Sequence, residues 1–292
     1  MTCGAQRLRA WPVARQLKRS PTRGRPGGWG VLSLFLLRHG ETEFSRGDRF
    51  CGEIDAPLTD AGSRMGELFA DAYGALPWRA IVTSTRRRTI GTAAPLAARA
   101  GIPIQRDARL DELYFGEWQG LTKREAAARD AARFERWRAN PTIGAPSGES
   151  PLDAADRALA AIDDLRARHE SGNVLIVSHK TILRLLFCKL LNINLRLYRD
   201  TVEWPTGAVS VLDIGPRGAV ARLVVDERHL FPQARRDLVG EQDAGWSEAN
   251  AALIDDDPAG SDGAGDLEVA ADQGIDTMSG AMGGAIDPVD SP

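Results

Sequence analysis

The sequence predicts an α/β fold, a three-layer αβα sandwich built on a mostly parallel sheet with an antiparallel edge strand. Three observations predict it. Short apolar runs at 31–37, 80–83 and 174–177 alternate with segments of helical periodicity, the order that puts helices on both faces of a sheet. Each run is almost continuously apolar, as a strand covered on both faces is. Near the end, two further runs flank Gly215-Pro216-Arg217-Gly218, a hairpin signal that supplies the antiparallel edge.

Taken in order, Val31–Leu37 reads as the first buried strand. Asp60 opens a helical pattern that runs to about Tyr73, with Leu68 and Phe69 on its apolar face. Ala80–Thr83 is a second strand and Arg87–Arg99 a second helix, closed near Gly101. Ile102–Gln105 is a short extended piece, and 121–150 reads as a helical cover. Ala154–His169 is amphipathic, with Leu159, Ile162 and Leu165 at helical spacing. Val174–Val177 is an apolar strand and Thr181–Leu191 a buried helix. Ala208–Ile214 and Val220–Val225 form the hairpin.

The ends differ from this body. Before Glu41 the 292-residue chain has no acid, while Arg7, Arg9, Arg15, Lys18, Arg19, Arg23 and Arg25 are all basic. After Arg236 there is no Lys or Arg, and Asp255-Asp256-Asp257 lies in an Ala/Gly/Asp/Ser stretch. The reading is a disordered basic extension over 1–30 (or translation from an upstream start codon), a folded domain over 31–231 and a disordered acidic tail over 232–292. The three cysteines have no metal-ligand spacing, are odd in number, and suit a reducing, cytoplasmic compartment. No apolar run approaches the ~20 residues of a membrane helix. Val31–Leu37 follows arginines but lacks a small-residue cleavage site, so it reads as a strand and not a signal core.

Chemistry concentrates at strand ends. The first strand runs into Arg38-His39-Gly40-Glu41-Thr42, the second into Ser84 and Arg86-Arg87-Arg88, and the strand at 174–177 into Ser178-His179. Open α/β sheets bind their ligands at the carboxyl ends of strands. Gly40 is suited to a tight turn after the histidine. Arginines and histidines converging there suit a phosphate dianion: guanidinium groups give planar paired donors, and imidazole can attack or stabilise charge.

Four blocks in order resemble the histidine phosphatase superfamily, also called the phosphoglycerate mutase-like family. They are Leu37–Thr42, followed by Arg49–Gly52 and Asp55–Gly62; Ser84–Ala93; Leu110–Leu113 with Gly116–Gly120; and Ser178–Lys180 with Arg184. The likeness covers about 31–231. It implies a phosphoglycerate mutase-like fold and a metal-independent phosphomonoesterase of the histidine acid phosphatase type, without cofactor. His39 would be the nucleophile, phosphorylated through its neutral imidazole. Arg38, Arg88 and His179 would form the phosphate pocket, and Glu112 would be proton donor and acceptor. Thr42 and Ser45 would touch substrate, although the family often has Asn where Ser45 stands. Lys180 replaces a usual glycine and adds charge near the mouth.

Several residues read as ordinary structure. Arg86 and Arg87 are expected on solvated surface, Trp118 and Trp137 in packing, and Cys51 as a neutral filler. His169 and His229 are expected on the surface, and Glu41 as a support of the site. Arg124, Arg129, Arg133, Arg136 and Arg138 lie in the cover and read mainly as solvated, with a mild lean toward an anionic small molecule. The resemblance includes mutases, but no long insertion follows Glu112 and no Trp follows Gly52, so hydrolysis of a small phosphorylated metabolite is favoured. A non-catalytic phospho-ligand-binding pseudo-enzyme is disfavoured because every expected group is present. No nucleic-acid or membrane partner is expected; a homodimer is compatible with the sequence.

Overall fold

Alternating inward and outward residues on the first strand explain how the chain builds three layers. The structure is a computed structural model that describes residues 30–231. The extension and tail assigned to 1–30 and 232–292 thus lie, but for Gly30, outside the described residues. Strand β1 spans Leu32–Arg38. Its Leu32, Leu34 and Leu36 enter one apolar cluster, and its Phe35 and Leu37 enter another on the opposite face. Such two-sided burial is what a continuously apolar strand requires.

Among the described residues, β2 (Trp78–Thr83), β3 (Ile104–Arg106), β4 (Gly172–Ser178), β5 (Val209–Gly215) and β6 (Gly218–Asp226) join β1 in one sheet, ordered β3-β2-β4-β1-β5-β6. The pairs β1–β4, β2–β4 and β2–β3 are parallel. The hairpin β5–β6 lies antiparallel at the β1 side, as the sequence predicts, with Gly215 opposite Gly218 across the turn. Helices α1 (Glu43–Arg46), α2 (Asp60–Tyr73), α3 (Arg87–Ala100), α4 (Lys123–Arg129), α5 (Ala131–Ala139), α6 (Pro151–Arg168), α7 (Lys180–Leu190) and α8 (Tyr198–Thr201) complete the fold.

Helices α2 and α3 cover one face: Phe69 and Tyr73 of α2 and Ala93 and Leu96 of α3 pack with Phe35, Leu37, Ile81 and Val177. Helices α6 and α7 cover the other, through Ala158, Ile162 and Leu165 and through Ile182, Leu183 and Leu186. Helix ends follow local chemistry. Thr59 caps α2 by accepting from Gly62 N, and α3 closes on Gly101 in the left-handed region (φ 67°). Helix α6 begins three residues earlier than the apolar spacing indicates, because Ser150 caps it and Pro151 fills its first turn. The segment expected as a helical cover resolves into α4 and α5, separated at Asp130, which caps α5. Phe134 and Trp137 of α5 pack with Phe50 and Trp118.

One expectation fails outright. His229 is buried, not on the surface, with its ring edge-on to Phe69 and Tyr73. The short turn Arg228–Leu230 after β6 folds back against α2, a tertiary event that no local pattern announces. Burial pushes the His229 imidazole down to about 4. No helix among the described residues is long and apolar enough to cross a membrane.

Candidate active site

Strands β1 and β4 are parallel neighbours in register, Arg38 opposite Ser178, so the residues that follow them come together. His39 and His179 stand side by side, ring centroids 5.2 Å apart. The His39 backbone N donates to Ser178 O at 3.0 Å, fixing that juxtaposition. Strand β2, on the other flank of β4, delivers Ser84 and the start of α3, which carries Arg88.

His39 is buried. Its Nδ1 lies 2.7 Å from Gly40 O. A carbonyl can only accept, so Nδ1 carries the proton and Nε2 keeps its lone pair. Burial, and then the positive charges of Arg38 and Arg88, hold the imidazole well below the usual histidine range. His39 is therefore neutral at physiological pH, the form in which a ring nitrogen can attack.

Gly40 is constrained by a close approach in addition to the turn expected of it. Its φ is not in the left-handed region, but a Cβ there would run into the Gly62 carbonyl on α2. Gly62 in turn has no room beside the Glu41 backbone. Two glycines thus let the loop after His39 lie against the start of α2. Glu41 supports the same loop, accepting from Thr59 Oγ1 at 2.9 Å and Arg46 Nη2 at 2.7 Å.

Arg88 is fully buried, and all three of its nitrogens are held. Nη1 donates to Ile54 O (2.7 Å), Nη2 to Gly52 O (3.1 Å) and Nε to His179 Nδ1 (3.2 Å). Because His179 Nδ1 accepts, its proton is on Nε2, which faces Ser84 Oγ at 2.8 Å. His179, expected as a phosphate contact, thus sits behind the cavity wall with both nitrogens engaged by protein. Burial, then Arg88, depresses its pKa well below the usual range. Arg38 donates Nη1 to Trp204 O at 2.6 Å, while its buried Nε has no hydrogen-bond partner. Burial lowers this guanidinium to about 10, against the opposing pull of Glu112.

A cavity of about 310 Å³ opens over these groups. Arg38, His39, Arg88, Glu112, Thr42 and Ser45 all line it, so the structure brings every candidate but His179 to one cavity. Glu112 accepts from Leu113 N at 2.9 Å and from Thr181 N at 3.4 Å. Its loop is fastened by Arg157, which forks onto Glu149 and donates to Arg109 O at 2.6 Å. Ser45 and Thr42 form a capping box for α1: Ser45 Oγ donates to Thr42 O at 2.9 Å, so its one hydroxyl proton is committed.

Other readings need revision. Arg86 is tied down, donating to Glu53 O at 3.1 Å and pairing with Asp111 at 3.1 Å, so it is a brace and not solvated surface. Arg87 is exposed, as expected. The five arginines of the cover are exposed and none lines the cavity. The cavity is also lined by residues the motifs do not mark, Tyr198, Arg199 and Glu203, with Trp137, besides Lys180 and Arg184. Arg184 falls within the fourth block, a signal available in the sequence. Arg199 lies between α7 and β5, where no pattern points to it. Cys51 also lines the cavity; burial raises its thiol pKa, consistent with an inert filler. Among the described residues no group of three His, Cys, Asp or Glu could hold a metal ion.

Comparison with known proteins agrees with this geometry. A glucosyl-3-phosphoglycerate phosphatase of Mycolicibacterium vanbaalenii is 34% identical over 171 residues, 56% of this chain and 76% of that one. Phosphoserine phosphatase 1 of Hydrogenobacter thermophilus is 28% identical over 166 residues, 56% of this chain and 79% of that one. The solved structure of Bacillus stearothermophilus YhfR superposes with a TM-score of 0.64 at 30% identity, covering 68% of this chain and 99% of that one. With the sequence model of branch 1 matching residues 34–227, which run from within β1 to just past β6, the chain belongs to the histidine phosphatase superfamily.

Proposed function

We propose that the protein is a metal-independent phosphomonoester hydrolase that passes a phosphoryl group through His39. The observation that carries this reading is the tautomer of a buried, neutral His39. Its Nε2 lone pair is free beside the guanidinium groups of the half-buried Arg38 and the buried Arg88. Two similar proteins are named as phosphatases, of different substrates, which supports hydrolysis without naming the ester.

Nε2 attacks phosphorus in line with the ester oxygen; the N–P bond forms as the P–O bond breaks. Arg38 and Arg88 neutralise the charge spread over the equatorial oxygens. Glu112, in its acid form, gives its proton to the departing oxygen, and the alcohol leaves. The resulting carboxylate then takes a proton from water as that water attacks the phosphohistidine. The N–P bond breaks, returning neutral His39 and releasing inorganic phosphate. His179 acts in this scheme by holding Arg88, and Ser45 and Thr42 by shaping the loop that carries His39.

A cavity of about 310 Å³ fits a small phosphorylated metabolite rather than a nucleic acid. The free thiols Cys51 and Cys188 support a reducing compartment such as the cytoplasm. Phosphate release by wild type and His39→Ala, from an aryl phosphate and a panel of phosphorylated metabolites with chelator present, tests the proposal. Turnover by the wild type and a loss of about a thousandfold or more in the variant are expected. Equal rates in the two proteins, or activity abolished by chelator, would refute it.

A further inference from the structure

Glu112 and Arg88 have to serve one substrate, yet they belong to separate segments. Glu112 lies in the loop between the short turns Ala108–Leu110 and Gly116–Trp118, and Arg88 lies in the first turn of α3. The Glu112 loop has one tie to the end of β4, where Ser178 Oγ donates to Leu110 O at 2.7 Å. It has another to α6, where Arg157 Nη1 donates to Arg109 O at 2.6 Å. Those ties lead to β4 and α6, not to α3. The start of α3 also lacks the usual fastening, because Arg86 at its N-cap makes no side-chain capping bond.

Asp111, the neighbour of Glu112, joins the two segments. Its Oδ1 accepts from Thr85 N at 2.7 Å. Thr85 Oγ1 lies 2.7 Å from Oδ2 and 2.8 Å from Oδ1, so its proton also goes to this carboxylate. Arg86 Nη2 pairs with Oδ2 at 3.1 Å. A backbone amide, a hydroxyl and a guanidinium thus converge on one carboxylate, and charge makes such hydrogen bonds short and directional. The Asp111 side chain is only 14% exposed and does not line the cavity. It acts on the two residues that lead into the helix of Arg88. The geometry it holds is a demanding one: the acid has to reach the departing oxygen while the arginine holds the phosphoryl group, and displacements of about 1 Å at such a site cost on the order of a hundredfold in rate.

We propose that Asp111 is a positioning residue, which sets Glu112 against the phosphate held by Arg88 by binding the Glu112 loop to Thr85 and Arg86. The inference rests on the phosphatase reading above and adds to it a residue that touches neither substrate nor phosphorus.

Leaving-group dependence tests it in the full-length protein. Asp111→Ala is expected to lower kcat for glycerol 3-phosphate by about ten- to a hundredfold. The nitrophenol burst from 4-nitrophenyl phosphate, which needs no acid, should slow much less, and inhibition by inorganic phosphate should stay as in wild type. Asp111→Asn keeps an acceptor for Thr85 N and should recover part of the loss. Thr85→Ala, a change at an exposed residue, should give a smaller loss with the same ester dependence. In a Glu112→Gln background Asp111→Ala should add little, because a residue that acts through Glu112 has nothing left to position. Equal losses on both esters would overturn the proposal, since general damage does not distinguish leaving groups. So would losses that multiply in the double variant, or an Asp111→Ala protein as active as wild type; the phosphatase would stand in each case. Should Asp111→Ala fail to fold, Asp111→Asn and Thr85→Ala decide by the same ester comparison. A Glu112→Gln protein that treats the two esters alike would instead overturn the role of Glu112 in the phosphatase reading, and this proposal with it.

Discussion

Arg88 donates its Nε–H to Nδ1 of His179 at 3.2 Å, so the second histidine of the site fixes an arginine before any phosphate arrives. Each of the other two Arg88 nitrogens is tied to a backbone carbonyl of the 52–54 loop. The guanidinium is thereby preorganised, and transition-state stabilisation of this kind costs no rearrangement at the moment of reaction. Removing the acceptor should release it. His179→Ala is expected to lower kcat by about a hundredfold or more. His179→Gln, which can still present an acceptor, should recover part of the loss. Steady-state kinetics on an aryl phosphate measure both, and equal damage from the two variants would argue against a positioning role.

Glu112 should matter in proportion to how badly the departing oxygen needs a proton. In Glu112→Gln, hydrolysis of an alkyl phosphate is expected to fall by roughly 10²–10⁴-fold. Hydrolysis of 4-nitrophenyl phosphate, whose leaving group departs as a stable anion, should fall much less in its phosphorylation step. A burst of nitrophenol followed by slow turnover would show the second step, water activation, to be impaired as well. Identical losses for both esters would remove Glu112 from the role of acid.

The pH response should carry the mark of buried neutral histidines. His229 titrates at about 4 in the fold against an ordinary 6.5, because of its burial. As pH falls below about 6.5 the unfolded chain takes up a proton that the folded chain refuses, so stability is complete above 6.5 and is lost progressively toward 4. That gap corresponds to roughly 3 kcal/mol from this residue at the acid end. His39 and His179, also depressed by burial, add losses of the same sign. Replacing His229 by Phe, which suits neighbours Phe69 and Tyr73, should flatten the fall of Tm between pH 6.5 and 4.5. An unchanged slope would assign the acid sensitivity to other groups.

The close approach of loop and helix at Gly40 predicts a local steric failure. Gly40→Ala drives a methyl into the Gly62 carbonyl, a backbone atom that can move only with the start of α2. Overpacking of this kind costs about 1–3 kcal/mol. We expect a lower denaturation midpoint together with a kcat loss greater than that from Gly101→Ala, where the added methyl meets no atom within 4 Å. Gly101→Ala still costs stability, because its φ of 67° suits glycine. A Gly40→Ala protein as active as wild type would show that the His39 loop tolerates displacement.

What the sequence made legible were features written within a few residues of themselves. The apolar runs at β1 and β4, the Thr59–Asp60 start of α2 and the Gly101 stop of α3 each depend on neighbours along the chain. The candidate site was legible too, because Arg38, His39 and Arg88 follow strand ends and Glu112 falls in the third of the ordered blocks. What escaped depends on parts distant in sequence. Gly40 is constrained by Gly62, His229 by Phe69 and Tyr73, and Arg199 by Trp137, 62 residues away. Position on a motif also did not reveal which face of a side chain is free: His179 matches its block, yet both its nitrogens are turned to Arg88 and Ser84.

The register that places Arg38 opposite Ser178 has a bearing on how the enzyme fails. His39 is not mounted on a mobile surface loop that could fray while the body survives; its backbone amide is bonded to the end of β4, beside strands with almost no exposed surface. Opening that junction means parting the centre of the sheet, among the costliest openings available to a fold. Heat or denaturant should therefore extinguish catalysis and structure together, at one midpoint, with no inactive folded species between them.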